Sequence, residues 1–392
     1  MRASDLFRGL CLAFLALAAS PLRAGQDPFD AWSVSGYAQL LEINRPAGGL
    51  PPTGPLDDFG DAANGYTRDG LYFRMLNISL SGPLGWPGTR AVLGTQVNQG
   101  TASLTDVYAQ KSGAFGSFRL GQVYLPFGAE QQLSSKDLPG IQRGLIYGFE
   151  DYGATQDWGL QLMNQRGWGL RWDCARPLAG PLQAILQAGA QDFGGGVLYQ
   201  NALGGVGRAA LDWEQGGFGA QLGYSALLAR GQLLTPPSEF TPLGAPQGAP
   251  SEGATDLSGH AVVETWGPDA QADAGPLHGR AEMALQSLHG FLRGGGQATA
   301  GLDLDAVLAG LGAPPAWQGA YLYVEWEQAF SDFGDGVHQT GALYRAQVYG
   351  LRLPLGWDAL SLKLESLQVS KAASGALMPD GRIYQAQLQL EL

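Results

Sequence analysis

The sequence predicts an all-β chain folded as a transmembrane antiparallel up-and-down barrel of about sixteen strands, and three observations carry that expectation. Segments of about ten residues alternate apolar and polar side chains along the chain, as a barrel strand must when alternate side chains meet lipid and lumen. No stretch after Gly25 approaches the ~20 consecutive apolar residues of a membrane helix, so strands are the means of crossing. Turn-forming segments come in two sizes, short and long, matching the short turns and long loops at the two ends of such a barrel.

The alternation is clearest in the last segment. From Ile383 to Leu392 the apolar residues Tyr384, Ala386, Leu388, Leu390 and Leu392 share one face, with Gln385, Gln387, Gln389 and Glu391 on the other. Residues 207–214 set Ala209, Leu211 and Trp213 against Arg208, Asp212 and Glu214, and residues 218–228 set Phe218, Leu222, Tyr224 and Leu228 against Gln221 and Ser225. The same pattern marks 182–191, 76–81 and 360–365. Polar faces this rich in Gln, Ser and Gly suit a water-filled lumen better than a dry core. About fifteen strands can be counted, and an even number brings both termini to one side, so sixteen is expected. The count is open at 156–173, which reads as one strand or two, and in the Gly-rich stretch 290–316.

Short turns are expected at 82–88 and 215–217, long loops at 44–69, 125–155 and 229–255. Trp158, Trp168, Trp172, Trp213, Trp266, Trp317, Trp326 and Trp357 stand near expected strand ends, as a headgroup girdle requires.

Composition narrows the partners. The formal charge of −12 and only four lysines in 392 residues exclude nucleic acid, whose phosphates need clustered Lys and Arg. Residues 1–24 read as a secretory signal, with Arg2 and Arg8 ahead of an apolar run from Leu10 to Ala19 and cleavage near Ala24. Residues 25–392 then form the barrel, with 20 basic against 34 acidic residues. Cys174 alone remains, so no internal disulfide is expected.

One segment departs from strand grammar. After a strand at 117–124, the run from Leu125 extends about thirty residues, too long for a plain connection. Within it, Ser134, Ser135, Lys136 and Asp137 can cap a short helical turn. The string from Arg119 to Leu162 contains Gly121, Gln122, Pro126 and Phe127, then a run from Glu130 to Arg143, and closes on Asp157-Trp158-Gly159-Leu160-Gln161-Leu162. It resembles the porin O and P family, the phosphate-selective outer-membrane porins. Gly36 to Leu40 and Phe73 to Gly82 are similar to that family as well. The likeness covers roughly residues 32–164 and is thin between 229 and 316. It implies a sixteen-stranded homotrimer in outer-membrane lipid, passing small hydrophilic solutes or inorganic ions by passive diffusion without a cofactor. It further implies that Leu125 to Gln156 folds inward as a constriction loop, with Glu130, Lys136, Asp137, Arg143, Glu150 and Asp151 facing the pore.

Strand parity places Arg90, Arg208, Asp212, Lys363 and Glu365 on lumen faces, with Asp106 and Arg119 as companions, and aligns Arg74 outward with Leu76 and Ile78. Both signs are present, so a transverse field is expected, and the acid excess predicts no strong preference for anions, phosphate included. Two other classes compete. A hydrolase needs a nucleophile and a base within hydrogen-bond reach, and His260, His278, His289 and His338 lie in no catalytic or metal-ligand spacing. An adhesin or purely structural barrel would have a plugged lumen and carry no single-channel current.

Overall fold

The computed structural model describes residues 31–44, 70–98, 101–134, 136–141, 166–192, 199–233, 260–288, 291–313, 317–332, 342–355, 359–373, 376–377 and 381–391. The signal-like 1–24 and the long segments 45–69 and 234–259 lie outside the described residues.

One antiparallel sheet contains all the described strands, in sequence order. They are β1 (Ser33–Asn44), β2 (Gly70–Pro83), β3 (Thr89–Asn98), β4 (Thr101–Gly113), β5 (Gly116–Tyr124), β6 (Arg166–Ala179), β7 (Leu182–Asp192) and β8 (Tyr199–Gln215). The second half adds β9 (Phe218–Leu233), β10 (His260–Ala274), β11 (Leu277–Leu288), β12 (Phe291–Asp303), β13 (Tyr321–Asp332), β14 (Ala342–Pro354), β15 (Leu360–Ala373), the two-residue β16 (Ala376–Leu377) and β17 (Gly381–Glu391). β16 only extends the hairpin from β15; the other sixteen are the staves of the barrel. The ring closes where β1 pairs with β17, from Tyr37 opposite Glu391 to Asn44 opposite Tyr384. Closure leaves none of the sixteen staves at an open edge among the described residues, a requirement for backbone in lipid, where an unmet N–H or C=O costs several kcal/mol.

Both ends of the described chain lie at one rim, together with the short turns. The β8–β9 turn is Gly216-Gly217, whose φ angles of 63° and 81° fit the hairpin geometry that only glycine adopts without strain. At this rim β12 and β13 are joined by a segment holding the six-residue helix α1 (Asp305–Gly310). The stretch expected to be Gly-rich and ambiguous is therefore a strand followed by a helix. From 156–173, the described part gives one strand, β6.

The two faces sort by polarity. Leu211, Leu222, Tyr224, Leu228, Val324, Leu364, Tyr384 and Leu390 are exposed outward, while Gln385, Gln387, Gln389, Ser225, Gln191, Lys363 and Glu365 are buried inward. Two bulges adjust this pattern. In β2, Gln39 pairs with Met75 and Leu40 with Phe73, so Arg74 is the extra residue and turns inward with Met75. The expectation that Arg74 faces outward is thereby corrected; it is 1% exposed and donates to Gln39 Oε1 and Gln387 Oε1. In β4, Thr105 and Asp106 oppose the single Gly94.

Aromatic packing marks the turn rim, where Trp213 meets Phe218 (5.2 Å between centroids) and Trp172 lies beside Phe118. Trp326 departs from the expected girdle: it stands mid-strand on the outer face. Trp158 and Trp357 lie outside the described residues.

The polarity of the two faces is testable through stability. Leu222→Arg, on the outward face, should lower folding free energy in lipid vesicles by about 2–4 kcal/mol if the site is near the midplane. Gln183→Arg, on the inner face opposite Asp212, should change it by less than about 1 kcal/mol. Reversible urea titration of both variants measures the difference, and equal losses would contradict the assignment of faces.

Candidate functional site

The segment after β5 is the organising element of the interior. Pro126 follows Leu125, and the chain at once turns in from the rim: the side chains of Leu125 and Pro126 lie over Gly189 of β7, where a Cβ would collide with Leu125. Gly128 N–H then donates to Ser225 Oγ on β9 (3.0 Å), and Glu130 N–H to Glu282 Oε2 on β11 (3.1 Å). Gln297 on β12 donates to Glu130. Further on, Lys363 Nζ of β15 donates to the carbonyls of Leu138 (2.7 Å) and Gly140 (3.1 Å), and Ile141 N–H donates to Glu365 Oε1. Lys136 Nζ pairs with Glu391 Oε2 of β17 at 3.0 Å. Staves on opposite sides of a closed ring can be bonded together by one short segment only from inside, so the polar face is the interior and 126–141 crosses it.

Apolar contacts hold the same segment. Leu125, Phe127, Leu138 and Ile141 are all at most 1% exposed, and Leu41 and Ile43 of β1 are buried on the inward face. Each such side chain contributes on the order of 1.5–3 kcal/mol. The inward face of β1 thus breaks the polar rule at Leu41 and Ile43. The helical turn lies at Glu130–Gln132 as a 3-10 turn, not at Ser134–Asp137, where Asp137 N–H only closes a tight turn onto Ser134.

Of the expected loop charges, Glu130 is buried against β11 and β12, Lys136 is half-buried, and Asp137 is exposed within the lumen. Arg143, Glu150 and Asp151 lie outside the described residues. The hydrogen bond to Glu391 raises the pKa of Lys136 above the ordinary lysine value, more than its partial burial lowers it. Since the folded value is the higher one, the lysine side of this contact is fully charged below the ordinary lysine range and is lost as the pH rises above it.

The wall residues separate into arcs. Register aligns Arg90 with Gln110, Gln110 with Arg119, and Arg119 with Arg171, a basic row along β3 to β6. Arg119 lies over the Tyr108 ring and 3.7 Å from Asp173, and Arg171 grips Asp173 and reaches Gln132 of the inner segment. Asp106, at the β4 bulge, pairs with Arg166 at 3.4 Å. Arg208 is held by Asp269 through a fork of 2.6 and 3.1 Å and by Gln187 and Gln221, so its charge is neutralised at once. Asp212 lies on the inner face beside Gln221. The arc from β10 to β15 carries Asp269, Glu282, Glu325, Glu327 and Glu365, all buried, beside Lys363. Tyr323 donates to Glu365 and lies flat across Gly350, where any side chain would collide with its ring.

No protein-family model matches the chain. No curated protein matches it by sequence. Among solved structures, OmpT of Vibrio cholerae, an outer membrane protein in a trimer form, is 10% identical with a TM-score of 0.53, covering 93% of this chain and 100% of its own. The outer membrane channel DcaP of Acinetobacter baumannii is 12% identical, TM-score 0.55, covering 95% and 99%. OprB of Pseudomonas putida is 11% identical, TM-score 0.55, covering 92% and 94%. The chain has an outer-membrane barrel fold. At these identities the likeness speaks for architecture over nearly the full length of both chains.

Register puts Arg90, Arg208, Asp212, Lys363 and Glu365, expected there from strand parity, on the inner face with their companion Arg119, while the other companion, Asp106, sits in the β4 bulge. The parity reading missed Arg171 and Asp173, which alternate with Leu170 and Trp172, and Arg280 and Glu282, which alternate with Ala281 and Met283. The signal was present in both strands.

Lys363 and Glu365 are the latch for the inner segment. Lys363→Met should remove both carbonyl contacts and speed protease cleavage within 136–141. Unaltered cleavage would show that the segment is held without them.

Proposed function

We propose that this protein is an outer-membrane porin through which small hydrophilic solutes and ions diffuse passively, narrowed by the inward segment that begins at Leu125. The observation that carries the reading is the segment 126–141 bonded across a polar interior, with a basic row on β3 to β6 and an acid-rich arc on β10 to β15. A segment that occupies part of the lumen while leaving charged wall residues in place constricts a pore rather than filling a core. Residues 1–24 serve as the export signal in this reading, and three copies assemble in the membrane. The trimer form of the similar OmpT from Vibrio cholerae supports that assembly.

Opposed arcs of charge give a transverse field, which orders polar solutes and favours neither ion sign strongly. The phosphate preference of the porin O and P family is not part of the proposal, because the acid-rich arc opposes a dianion. No covalent chemistry is proposed, and the barrel works by geometry and field alone.

Purified protein in planar bilayers should conduct in steps, and proteoliposomes should swell in solutions of small sugars. A closed bilayer would overturn the reading and favour an adhesin or structural barrel. In a tenfold salt gradient the reversal potential should stay well short of the ideal anion value; a strong phosphate or chloride preference would contradict the charge argument. Replacing Lys136 and Asp137 together with Ala should alter conductance by about 1.5-fold or more, since removing two loop charges changes the field that ions cross.

A further inference from the structure

On the turn-rim side of the inner segment lies a separate cavity of about 290 Å³, floored by Asp137, Leu138 and Pro139 and walled by inner-face residues of β10 to β14. Its polar groups divide into two sets. Asp273 and Asp303 are already engaged: His278 stands between them, Nδ1 at 2.8 Å from Asp273 Oδ1 and Nε2 at 2.9 Å from Asp303 Oδ2. Only an imidazolium has an N–H for each carboxylate, so these three groups form a closed set carrying one net negative charge.

The second set is unengaged. Arg280, on the inner face of β11, lines the cavity. Arg352 also lines the cavity, in register with Tyr321 on one side and with the cation Lys363 on the other. Neither arginine forms an ion pair among the described residues, and nor does Asp137, whose carboxylate belongs to the floor. Guanidinium groups that line a cavity without an ion-pair partner can donate charge-assisted hydrogen bonds to a bound oxygen anion. The whole lining sums to zero: three cations, Arg280, Arg352 and the imidazolium, against Asp137, Asp273 and Asp303.

We infer that this cavity binds a small zwitterion, its carboxylate on Arg280 and Arg352 and its ammonium on Asp137. A dianion such as phosphate satisfies the arginines but meets three carboxylates, and a simple cation leaves both arginines unmet. A molecule with both charges answers each set within a neutral lining. The volume lies at the small end for ligand sites, roughly 300–1,000 Å³, which fits a single amino acid. The inference deepens the porin reading and rests on it for the entry of solute.

Titration calorimetry on the detergent-purified protein tests it independently of conduction, with planar bilayers run in parallel. L-alanine should bind in the millimolar range, with propionate, propylamine and inorganic phosphate at least about tenfold weaker, as expected when one charged hydrogen-bonding partner goes unmet. R280Q and R352Q should each weaken L-alanine about tenfold, while D137N should weaken L-alanine but not propionate. Should R280Q fail to fold, as judged by heat-shifted gel migration, R352Q and D137N still decide the matter. Propionate or phosphate binding as tightly as L-alanine overturns the inference, as does absence of L-alanine heat from a protein that conducts. L-alanine binding by a protein that passes no current upholds the site and sinks the porin reading instead.

Discussion

A sheet in hydrocarbon must satisfy every backbone N–H and C=O within itself, and the rest of this structure follows from the way the chain meets that demand. Pairing β1 with β17 closes the ring. Closure divides side chains into two populations with opposite solvents, so alternation becomes obligatory along each stave. It also creates an enclosed interior wide enough to take a returning segment.

That interior is the unusual solvent. Charged groups such as Lys363, Glu365 and Arg208 are buried in it, yet each is matched by carbonyls, amide N–H groups or an opposite charge. Unmatched burial of this kind would cost several kcal/mol per ion. The segment after β5 supplies much of the matching, since its backbone offers donors at Gly128, Glu130 and Ile141 and acceptors at Leu138 and Gly140. Wall and segment therefore specify each other: the charges on β11 and β15 are tolerable because the segment is there, and it is held because they are.

How much of this was legible in the sequence depends on range. Alternation is local, so the faces of β8, β9, β15 and β17 could be read residue by residue. A bulge shifts parity by one, and nothing near Arg74 announces it; the pairing of Gln39 with Met75 and Leu40 with Phe73 across the sheet decides its direction. The inner segment could be recognised as too long for a turn, but its anchors lie more than a hundred residues downstream, at Glu282, Lys363 and Glu365. Leu41 and Ile43 look misplaced on a lumen face, yet both are fully buried there. The salt link between Arg208 and Asp269 was hidden for the same reason, since the two residues come from separate strands.

The central claim is that one face of each stave meets lipid and the other meets water. Single cysteines placed along β7, in a Cys174→Ser background and tagged with a fluorophore, test it directly in brominated-lipid vesicles. Tags at Leu182, Ala184 and Leu186 should be quenched by the brominated chains, and tags at Gln183 and Gln187 by aqueous iodide. Quenching that fails to alternate, or that reverses the two sets, would contradict the account.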